Sequence, residues 1–345
     1  MHRCVHALPR TRPHSSTSTV PRPPSPVSRF TAETLTPITN QRSRTISTGA
    51  AYARFRITVS ILIDMNILVT GATGNIGREV IRQFDSASDH KIFAAIQKTQ
   101  KNPFPEHIEV RTFDFCDHES VGAALKGIDV VFLLRPPQIA AVKKIFKPLI
   151  ELCKSNGVHQ VVFLSVQGVE NQIFIPHYKI EKLLYKSGIR YTFIRPGYFM
   201  QNLTTTLRKD IERGEIYLPS GRAKFNWVDA ADIGLAIATV LKASRHHINK
   251  AYVITGREQL AFKEVAEMIS RVTGKLVHFK SPALFAFFLQ KRREGERISM
   301  IFVLMLLHCL PRLSKPLPLS GDFSALTGCQ PGTLEEFMKR EMMRL

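Results

Sequence analysis

Three glycines, spaced three residues apart, are the part of the sequence whose chemistry is easiest to interpret. Gly71, Gly74 and Gly77 follow an apolar run at 66–70. Apolar residues then recur at helical spacing at Ile76, Val80 and Phe84. A strand, a glycine loop and a helix in this order predict a site for the diphosphate of a dinucleotide. The first glycine permits the tight turn, the second lets the backbone approach the diphosphate, and the third lets the helix pack against the strand. Unpaired N–H groups at the start of the helix would then face the phosphates.

The residues after the second predicted strand, 91–96, indicate which dinucleotide is bound. An NAD site carries an acidic residue here, which accepts a hydrogen bond from the ribose 2′-hydroxyl. This chain instead has Gln97 and Lys98, and no carboxylate occurs between His90 and Glu106. Because a lysine can neutralise a 2′-phosphate, the sequence favours NADP(H) over NAD(H). The alternative is that Lys98 only faces solvent.

Ser165, Tyr178 and Lys182 have the residue types and the spacing of a carbonyl-reducing triad. In such a triad the tyrosine donates a proton to the carbonyl oxygen, and the lysine lowers the pKa of the tyrosine. The tyrosine and the lysine stand four residues apart, as that chemistry requires. On this pattern alone, Tyr178 and Lys182 are candidate catalytic residues.

Strands and helices alternate along residues 66–195. This alternation predicts an α/β fold, namely a Rossmann-type doubly wound parallel sheet with helices on both faces. Beyond residue 195 the alternation loosens, and we expect a smaller C-terminal α+β substrate lobe over the carboxyl ends of the strands. The predicted domains are an NAD(P)-binding domain at 65–200 and a substrate lobe with intermixed return elements at 201–345. The strands predicted for the sheet are 66–70, 91–96, 108–113, 129–134, 160–165 and 191–195.

Residues 1–64 are rich in Arg, Ser, Thr and Pro and show no apolar periodicity. Such a segment cannot bury enough apolar surface to offset the entropy of ordering it, so we expect disorder. Two interpretations of this extension stay open. In the first, it is a transit peptide, and the protein would be located in a mitochondrion or a plastid. In the second, it is a dispensable extension before a start at Met65, and the protein would be located in the cytoplasm.

The net charge of +20 is divided between the extension and the rest of the chain. The first 64 residues carry nine Arg against two acidic residues, or +7, and the rest carries 39 basic residues against 26 acidic ones, or +13. The rest contains no block of Lys and Arg and no repeat of basic and aromatic residues. We therefore expect an anionic small ligand, and not nucleic acid, as the main partner.

The sequence predicts neither a metal site nor a membrane span. The five cysteines lie far apart, without a Cys-x-x-Cys pair, which is typical of reduced intracellular thiols. The longest apolar run, 298–310, has 13 residues. That is fewer than the roughly 18 to 20 residues that cross a bilayer. We interpret this run as a buried helix or as a lid over the substrate pocket.

Several motifs resemble those of the NmrA-like atypical short-chain dehydrogenase/reductases, and especially the NAD(P)H:quinone oxidoreductase-like group. The resemblance extends from Met65 to near the C-terminus. It rests on the segments Thr70–Gly77, Phe132–Pro137, His177–Glu181, Ser187–Gly188, Tyr191–Pro196, Phe199–Asn202, Asp229–Gly234 and Thr255–Gly256.

The resemblance implies which residues contact the cofactor. Asp114 and Phe115 would touch the adenine, although a cap before the helix at Ser120 is the alternative for Asp114. Tyr198 and Phe199 would border the nicotinamide or the substrate. The remaining implied contacts are Gly71, Ala72, Thr73, Gly74, Asn75, Ile76, Gly77, Lys98, Leu134, Arg135, Pro136 and Ser165.

The resemblance also shifts the catalytic frame by one residue. In the atypical enzymes the active lysine stands four residues before the glutamate of this block, and counting back from Glu181 gives His177. One residue turns a helical side chain by about 100°, so His177 and the pair of Tyr178 and Lys182 cannot both face the cofactor. We expect His177 in the lysine position. The Tyr178 frame, and a His177 with only a structural role, are the alternatives.

The resemblance implies an NADPH-dependent reductase of a quinone or similar planar carbonyl compound. Hydride transfer to a quinone gives a fairly stable hydroquinone anion, which needs a strong acid less than ketone reduction does. The alternatives are a dinucleotide-sensing regulator that binds a protein partner without turnover, and a conventional reductase that uses Tyr178. Residues 203–319 carry no motif that identifies the substrate, and the oligomeric state stays open.

Overall fold

The structure is a computed structural model that describes residues 64–139 and 141–341. The extension predicted for residues 1–64 lies outside the described residues, apart from Asp64, so the expectations about it stay predictions.

Strands and helices alternate through the first half of the described chain. The strands are β1 Asn66–Val69, β2 Lys91–Ile96, β3 Glu109–Thr112, β4 Val130–Leu134, β5 Gln160–Leu164, β6 Arg190–Pro196, β7 Tyr198–Phe199, β8 Glu215–Tyr217, β9 Lys224–Val228, β10 Lys250–Ile254, β11 Gln259–Ala261 and β12 His278–Lys280. The α-helices are α1 Asn75–Ile81, α2 His118–Leu125, α3 Val142–Ser155, α4 Pro176–Ser187, α5 Arg208–Glu212, α6 Ala230–Lys242, α7 Phe262–Thr273, α8 Leu284–Arg293, α9 Ile298–Cys309, α10 Asp322–Thr327 and α11 Leu334–Glu341.

Seven of the strands form one parallel sheet in the order β10-β6-β5-β4-β1-β2-β3. This arrangement confirms the predicted Rossmann-type fold. The chain reverses its direction of travel across the sheet between β1 and β4, where the connections leave on opposite sides. In open α/β sheets the crevice at such a point, outside the carboxyl ends of the strands, binds ligands.

Helices cover both faces of the sheet, and the side chains of β1 show why its sequence is unbroken and apolar. Ile67 and Val69 join a core formed with α1, α6 and α10, whereas Leu68 joins a second core with α2, α3 and α4. All three side chains are fully buried. A strand that is buried on both faces needs apolar residues at every position.

A separate core holds the C-terminal α+β lobe together. β7, β9 and β11 form one small sheet, and β8 pairs with β12. Their core contains the fully buried Trp227 and Phe262. β10 returns to the large sheet, and α6 and α10 return to its helical layer.

Helix α9 corresponds to the apolar run that was expected to be a buried helix or a lid. Ile301, Leu304 and His308 are buried, but Phe302 and Leu306, on the opposite side, are 58% and 51% exposed. The expectation of a buried helix is therefore wrong for half of its surface. Among the described residues, no helix is long and apolar enough to cross a membrane.

An ion pair fixes the rotation of α4 about its axis. Glu181 shares the inward face of the helix with Ile180 and Leu184, and its carboxylate is largely buried. It accepts two hydrogen bonds from the Arg195 guanidinium on β6, from Nε at 3.1 Å and from a terminal nitrogen at 2.7 Å. Glu170 adds a second carboxylate 3.3 Å from the same guanidinium. The bidentate geometry holds α4 in one orientation on the sheet.

Glu181→Leu removes the bidentate partner of Arg195. We expect the free energy of unfolding to fall by about 3 kcal/mol, because the largely buried Arg195 guanidinium loses its bidentate partner and keeps only Glu170, which is half exposed. Urea denaturation followed by circular dichroism measures the loss. The control is Glu151→Leu, which removes an exposed carboxylate 3.8 Å from Lys147 and should cost less than about 1 kcal/mol. Equal losses in the two variants would contradict the anchoring role.

Candidate functional site

The glycine loop connects β1 to α1, and its backbone bears out two of the three predicted reasons for glycine. Gly71 has φ +63°, a left-handed conformation that permits the turn. A β-carbon on Gly77 would lie 2.2 Å from the Gly71 carbonyl oxygen, so only glycine lets α1 pack this close. Gly74 is extended, at φ −80° and ψ 174°. A β-carbon there would meet only the Gly71 oxygen, at 3.2 Å.

The start of α1 is open to a ligand. The first hydrogen bond of the helix runs from the Arg78 N–H to the Gly74 carbonyl, at 3.0 Å. The N–H groups of Asn75, Ile76 and Gly77 come before it and have no partner within the described part of the chain. Gly74 and Asn75 are exposed, whereas the neighbouring Ala72 and Ile76 side chains are buried. Unpaired N–H groups at a helix start attract anions.

The loop is tied to the end of β4 through Thr70 and Leu134. The Thr70 hydroxyl donates to the Phe132 carbonyl at 2.9 Å and accepts from the Leu134 N–H at 2.8 Å. The Leu134 side chain lies so close to Gly71 that a β-carbon on Gly71 would be 3.2 Å from it. The sequence did not predict this role for Thr70, although its place directly before the first glycine was visible.

The turn that carries Lys98 is held against the same loop. Gln100 accepts a hydrogen bond from the Gln97 N–H at 3.1 Å, and its amide nitrogen donates to the Thr73 hydroxyl at 3.2 Å. Lys98 itself is exposed and has no carboxylate partner within the described residues. The turn is therefore held beside the loop, while the Lys98 side chain is exposed to solvent. No motif in the sequence indicated the bonds of Gln100.

Asp114 and Phe115 follow β3 and both have structural partners. The Asp114 carboxylate accepts from the Cys116 N–H at 2.8 Å, and the Asp114 N–H donates to the Ser120 hydroxyl at 3.1 Å. Phe115 is half-buried, with its ring centroid 5.8 Å from that of Phe146. The capping alternative for Asp114 is wrong, because the residue that caps α2 is Asp117, whose carboxylate accepts from the Glu119 N–H at 3.0 Å. Contact of Asp114 and Phe115 with adenine stays a prediction.

Two buried polar atoms at the ends of adjacent strands have no partner among the described residues. They are the Ser165 hydroxyl, directly after β5, and the Nε of Arg135, directly after β4. A terminal nitrogen of Arg135 donates to the carbonyls of Pro136, Pro137 and Ile139, at 3.0, 3.2 and 2.9 Å, and so shapes its own loop. Burial lowers the pKa of Arg135. A buried polar group without a partner is costly, so these atoms mark a place where a ligand can bind.

His177 lies one turn before Glu181, at the amino end of α4 and on its inward side. Its ring centroid is 6.1 Å from that of Phe163 on β5. Burial and then the positive charge of Arg135 lower the pKa of His177 to about 3. The imidazole is therefore neutral at physiological pH, when it can donate and accept a hydrogen bond but is a weak acid. The structure brings His177 close to Arg135, which the sequence did not predict.

Tyr178 and Lys182 lie along a different line of α4. Lys182 is exposed, Tyr178 is half-buried, and the Lys182 ammonium lies 5.3 Å from the centroid of the Tyr178 ring. Glu181 fixes the helix so that the row of His177, Ile180 and Leu184 faces the sheet. The two catalytic frames thus point in different directions, as the helical geometry requires.

Tyr198 and Phe199 form β7, at the entrance to the lobe. The Tyr198 ring is buried, 4.8 Å from Trp227 and 5.7 Å from His308 between centroids, and burial raises the pKa of its hydroxyl. Its oxygen is 2.9 Å from Nε2 of His308, while Nδ1 of that histidine is 2.7 Å from the Leu304 carbonyl. Since the carbonyl only accepts, Nδ1 carries the proton and Nε2 accepts from Tyr198. The sequence did not predict that the Tyr198 hydroxyl is bonded to His308. The neighbouring Phe199 side chain is half-buried.

Comparison with known proteins identifies the family and several relatives of this chain. The sequence pattern of the NmrA-like family matches residues 64–304. Prestalk A differentiation protein A of Dictyostelium discoideum is 30% identical over 282 residues, which cover 80% of this chain and 92% of that protein. The NAD(P)H azoreductase of Xenophilus azovorans is 31% identical over 218 residues, or 62% of this chain and 76% of that enzyme.

The fold has a close counterpart among solved structures. The NADPH-dependent quinone oxidoreductase of Escherichia coli, complexed with NADPH, has a TM-score of 0.71 to this structure at 23% sequence identity. The alignment covers 80% of this chain and 99% of that one. The two chains therefore share the Rossmann-type fold.

The lowered pKa of His177 predicts an acid sensitivity. Between about pH 6.5 and pH 3 the unfolded chain binds a proton at this residue that the folded chain does not, so stability falls as the pH falls through this range. Replacing the residue, as in His177→Gln, should reduce the loss of unfolding free energy between pH 7.5 and 5.5 by about 1 kcal/mol. Urea denaturation at the two pH values measures it.

The exposed His107 provides the matched control. His107→Gln should leave the loss on acidification as it is in the parent protein. Proton NMR of the imidazole gives the pKa of His177 directly, and titration of His177 near pH 6.5 would contradict the burial described above.

Proposed function

The chain belongs to the NmrA-like family, and from that premise we propose that it is an NADPH-dependent reductase of quinones or similar planar carbonyl compounds. The observation that carries the proposal is the pair of buried, unpartnered polar atoms on Ser165 and Arg135. They lie at the carboxyl edge of the sheet, directly after β4 and β5, and β4 pairs with β1, which leads into the open glycine loop. The NAD(P)H azoreductase and the NADPH-dependent quinone oxidoreductase among the similar proteins support it.

The residues of this edge fit a dinucleotide. The unpaired N–H groups from Asn75 to Gly77 would hold the diphosphate, with the exposed Gly74 leaving room for it. The Ser165 hydroxyl and Arg135 Nε would gain the hydrogen-bond partners that they lack. Because burying these atoms unpaired is costly, filling the site returns part of that cost as binding free energy.

NADPH is the preferred form in this proposal. The turn that carries the exposed Lys98 is bonded to the glycine loop through Gln100 and Thr73, and no carboxylate lies between residues 90 and 106. A 2′-phosphate at this place would meet a free cation, whereas the ribose of NAD would find no acidic partner.

His177 and Arg135 suit the reduction of a quinone. NADPH, when bound, supplies a hydride, and a quinone that receives it becomes a hydroquinone anion. The Arg135 cation would stabilise the negative charge on the phenolate oxygen of this anion. The neutral His177 imidazole would donate a hydrogen bond and orient the acceptor, and solvent can deliver the final proton to the hydroquinone. A site with no strong acid on this face of α4 matches this chemistry better than ketone reduction.

The pair of Tyr178 and Lys182 is less suited to this role. Lys182 is exposed and its ammonium lies over the Tyr178 ring, at 5.3 Å. We propose that this pair stabilises the outer side of α4 and that His177 faces the nicotinamide. A reductase that depended on Tyr178 would lose nearly all turnover in Tyr178→Phe and keep it in His177→Gln.

One observation favours a second function, a regulator that senses the dinucleotide without turnover. With a pKa of about 3, His177 is a poor proton donor, so a carbonyl that must be protonated as it is reduced would not react and bound NADPH would persist. The assay that separates the two functions follows the absorbance of NADPH at about 340 nm with water-soluble quinones under anaerobic conditions. A reductase consumes one NADPH for each quinone reduced. Tight NADPH binding without consumption, over a panel of quinones, would establish the sensor instead.

Lys98→Ala tests the choice of cofactor. Loss of a charge-assisted contact should weaken NADPH binding by about 1.5–3 kcal/mol, or roughly tenfold to a hundredfold. NADH carries no 2′-phosphate, so its affinity should not change in the same variant, which makes it the control. Fluorescence titration measures both affinities. Tighter binding of NADH than NADPH to the parent protein, or no loss in the variant, would rule out the proposed role of Lys98.

Gly74→Val tests the glycine loop. The extended backbone at Gly74 accepts a side chain, so the variant should fold, but its two methyl groups would occupy the space needed by the diphosphate. Thermal unfolding should be cooperative, yet the variant should lose the stabilisation by NADPH, roughly 2.7 kcal/mol at a hundredfold excess over Kd. The control is Gly122→Val on α2, where a β-carbon meets no atom within 4 Å. If Gly74→Val gains as much from NADPH as the control does, the dinucleotide binds elsewhere.

A further inference from the structure

Helix α9 has two apolar sides, and only one of them is covered. Ile301, Leu304 and His308 pack into the core of the lobe. The opposite side, which we call the α9 face, consists of Phe302, Val303, Leu306, Leu307 and Leu310, which are between 40% and 58% exposed. Single exposed leucines are ordinary, but a continuous apolar stripe along a whole helix indicates an interaction surface.

The apolar surface continues on both sides of α9. Phe285 on α8 is 73% exposed, and Leu313, just after α9, is 81% exposed. α8 packs against α9, with the ring centroids of Phe288 and Phe302 6.1 Å apart. Twelve of the sixteen large exposed apolar side chains among the described residues fall within 284–319. The exposure is therefore a property of this region and not of the whole surface.

Cations flank the α9 face. Residues 281–320 contain six Lys or Arg and two Glu, for a net charge of +4. Lys291 is buried, but Arg292, Arg293, Arg297, Arg312 and Lys315 are exposed, and none of these five has a carboxylate within 4 Å in the described part of the chain. An exposed apolar stripe bordered by cations without carboxylate partners is complementary to a layered surface, with anionic groups on the outside and an apolar layer directly below them.

This charge argues against a second copy of the chain as the occupant. In a two-fold dimer the same patch lies on both subunits, so the two sets of cations would come together. Crossing of a bilayer is excluded by length, because twelve residues of helix extend only about 18 Å, well short of the roughly 30 Å hydrocarbon core.

We propose that the α9 face docks onto the surface of a membrane that contains anionic lipids. The helix would lie in the interface, with Phe302 and Leu306 among the acyl chains and the flanking arginines at the phosphates. The inference rests on exposure and charge and does not depend on quinone reduction.

Docking in this way would place the catalytic edge near the bilayer. The segment after α9 runs past the loop that follows β5, where Leu317 is so close to Gly168 that a β-carbon on Gly168 would lie 2.7 Å from it. Gln167 donates to the Pro318 carbonyl at 2.8 Å. Ser165 is two residues before this contact. An apolar substrate dissolved in the membrane could then reach the site from the docked side.

The test is binding of the full chain to phosphatidylcholine vesicles with and without phosphatidylglycerol, measured by flotation. We expect binding only with the anionic lipid. Phe302→Glu with Leu306→Glu should weaken it at least tenfold. The matched control, Tyr185→Glu with Leu276→Glu, changes two side chains that are 69% and 68% exposed outside the face, and it should lose much less. Residues 1–64 are the same in all variants and contribute equally.

A second pair of variants tests the cations. Arg293→Gln with Arg297→Gln should weaken binding by about tenfold or more, since each basic residue near an anionic surface contributes appreciably. Lys143→Gln with Lys144→Gln removes the same charge from exposed positions on α3 and should have a smaller effect. Circular dichroism confirms that all variants fold.

Three results would overturn the proposal. The first is an equal loss in the variants of the face and in their controls. The second is a dimer in sedimentation equilibrium that the Phe302 and Leu306 variant converts to a monomer, which would make the face a contact between copies. The third is a variant with Phe302→Glu and Leu306→Glu that has a raised KM for a water-soluble quinone but binds vesicles as the parent protein does. That result would make the face a wall of the substrate pocket.

Discussion

The Gly77 backbone lies against the Gly71 carbonyl, in a contact that leaves no space for a β-carbon. This contact seats α1 directly on the loop after β1 and so fixes where the unpaired N–H groups at the start of the helix lie. Leu134, over Gly71, and Gln100, bonded to Thr73, bring the ends of β4 and β2 to the same place. The proposed anion-binding half of the site therefore depends on one close approach of backbone to backbone.

The other half depends on how α4 is rotated. The bidentate bond between Glu181 and Arg195 turns the row that contains His177 toward the sheet, near Arg135, and turns Lys182 toward solvent. The chemistry proposed for the site follows from that orientation. A half-buried, neutral imidazole beside a cation can orient an acceptor, and the cation can stabilise negative charge, but the imidazole cannot act as a strong acid.

The sequence predicted the sheet well because burial on both faces forces an unbroken apolar run, as in β1 at residues 66–69, and because Gly71 and Gly77 have no substitute. It predicted an α+β lobe but not how the strands of the lobe pair, since strands of three residues such as β8 carry no measurable period. Long-range partners, such as His308 for Tyr198, leave no local signal. The sequence of α9 also shows that the helix is apolar, but not that the side chains on one of its sides, such as Phe302 and Leu306, are exposed.

A crystal structure with bound NADP⁺ tests the central claim most directly, because it locates each part of the cofactor at once. The account predicts the diphosphate at the loop 71–77, the 2′-phosphate beside Lys98, and the nicotinamide ribose within hydrogen-bond distance of His177. A nicotinamide placed instead beside Tyr178 and Lys182, or a diphosphate away from the loop, would contradict it.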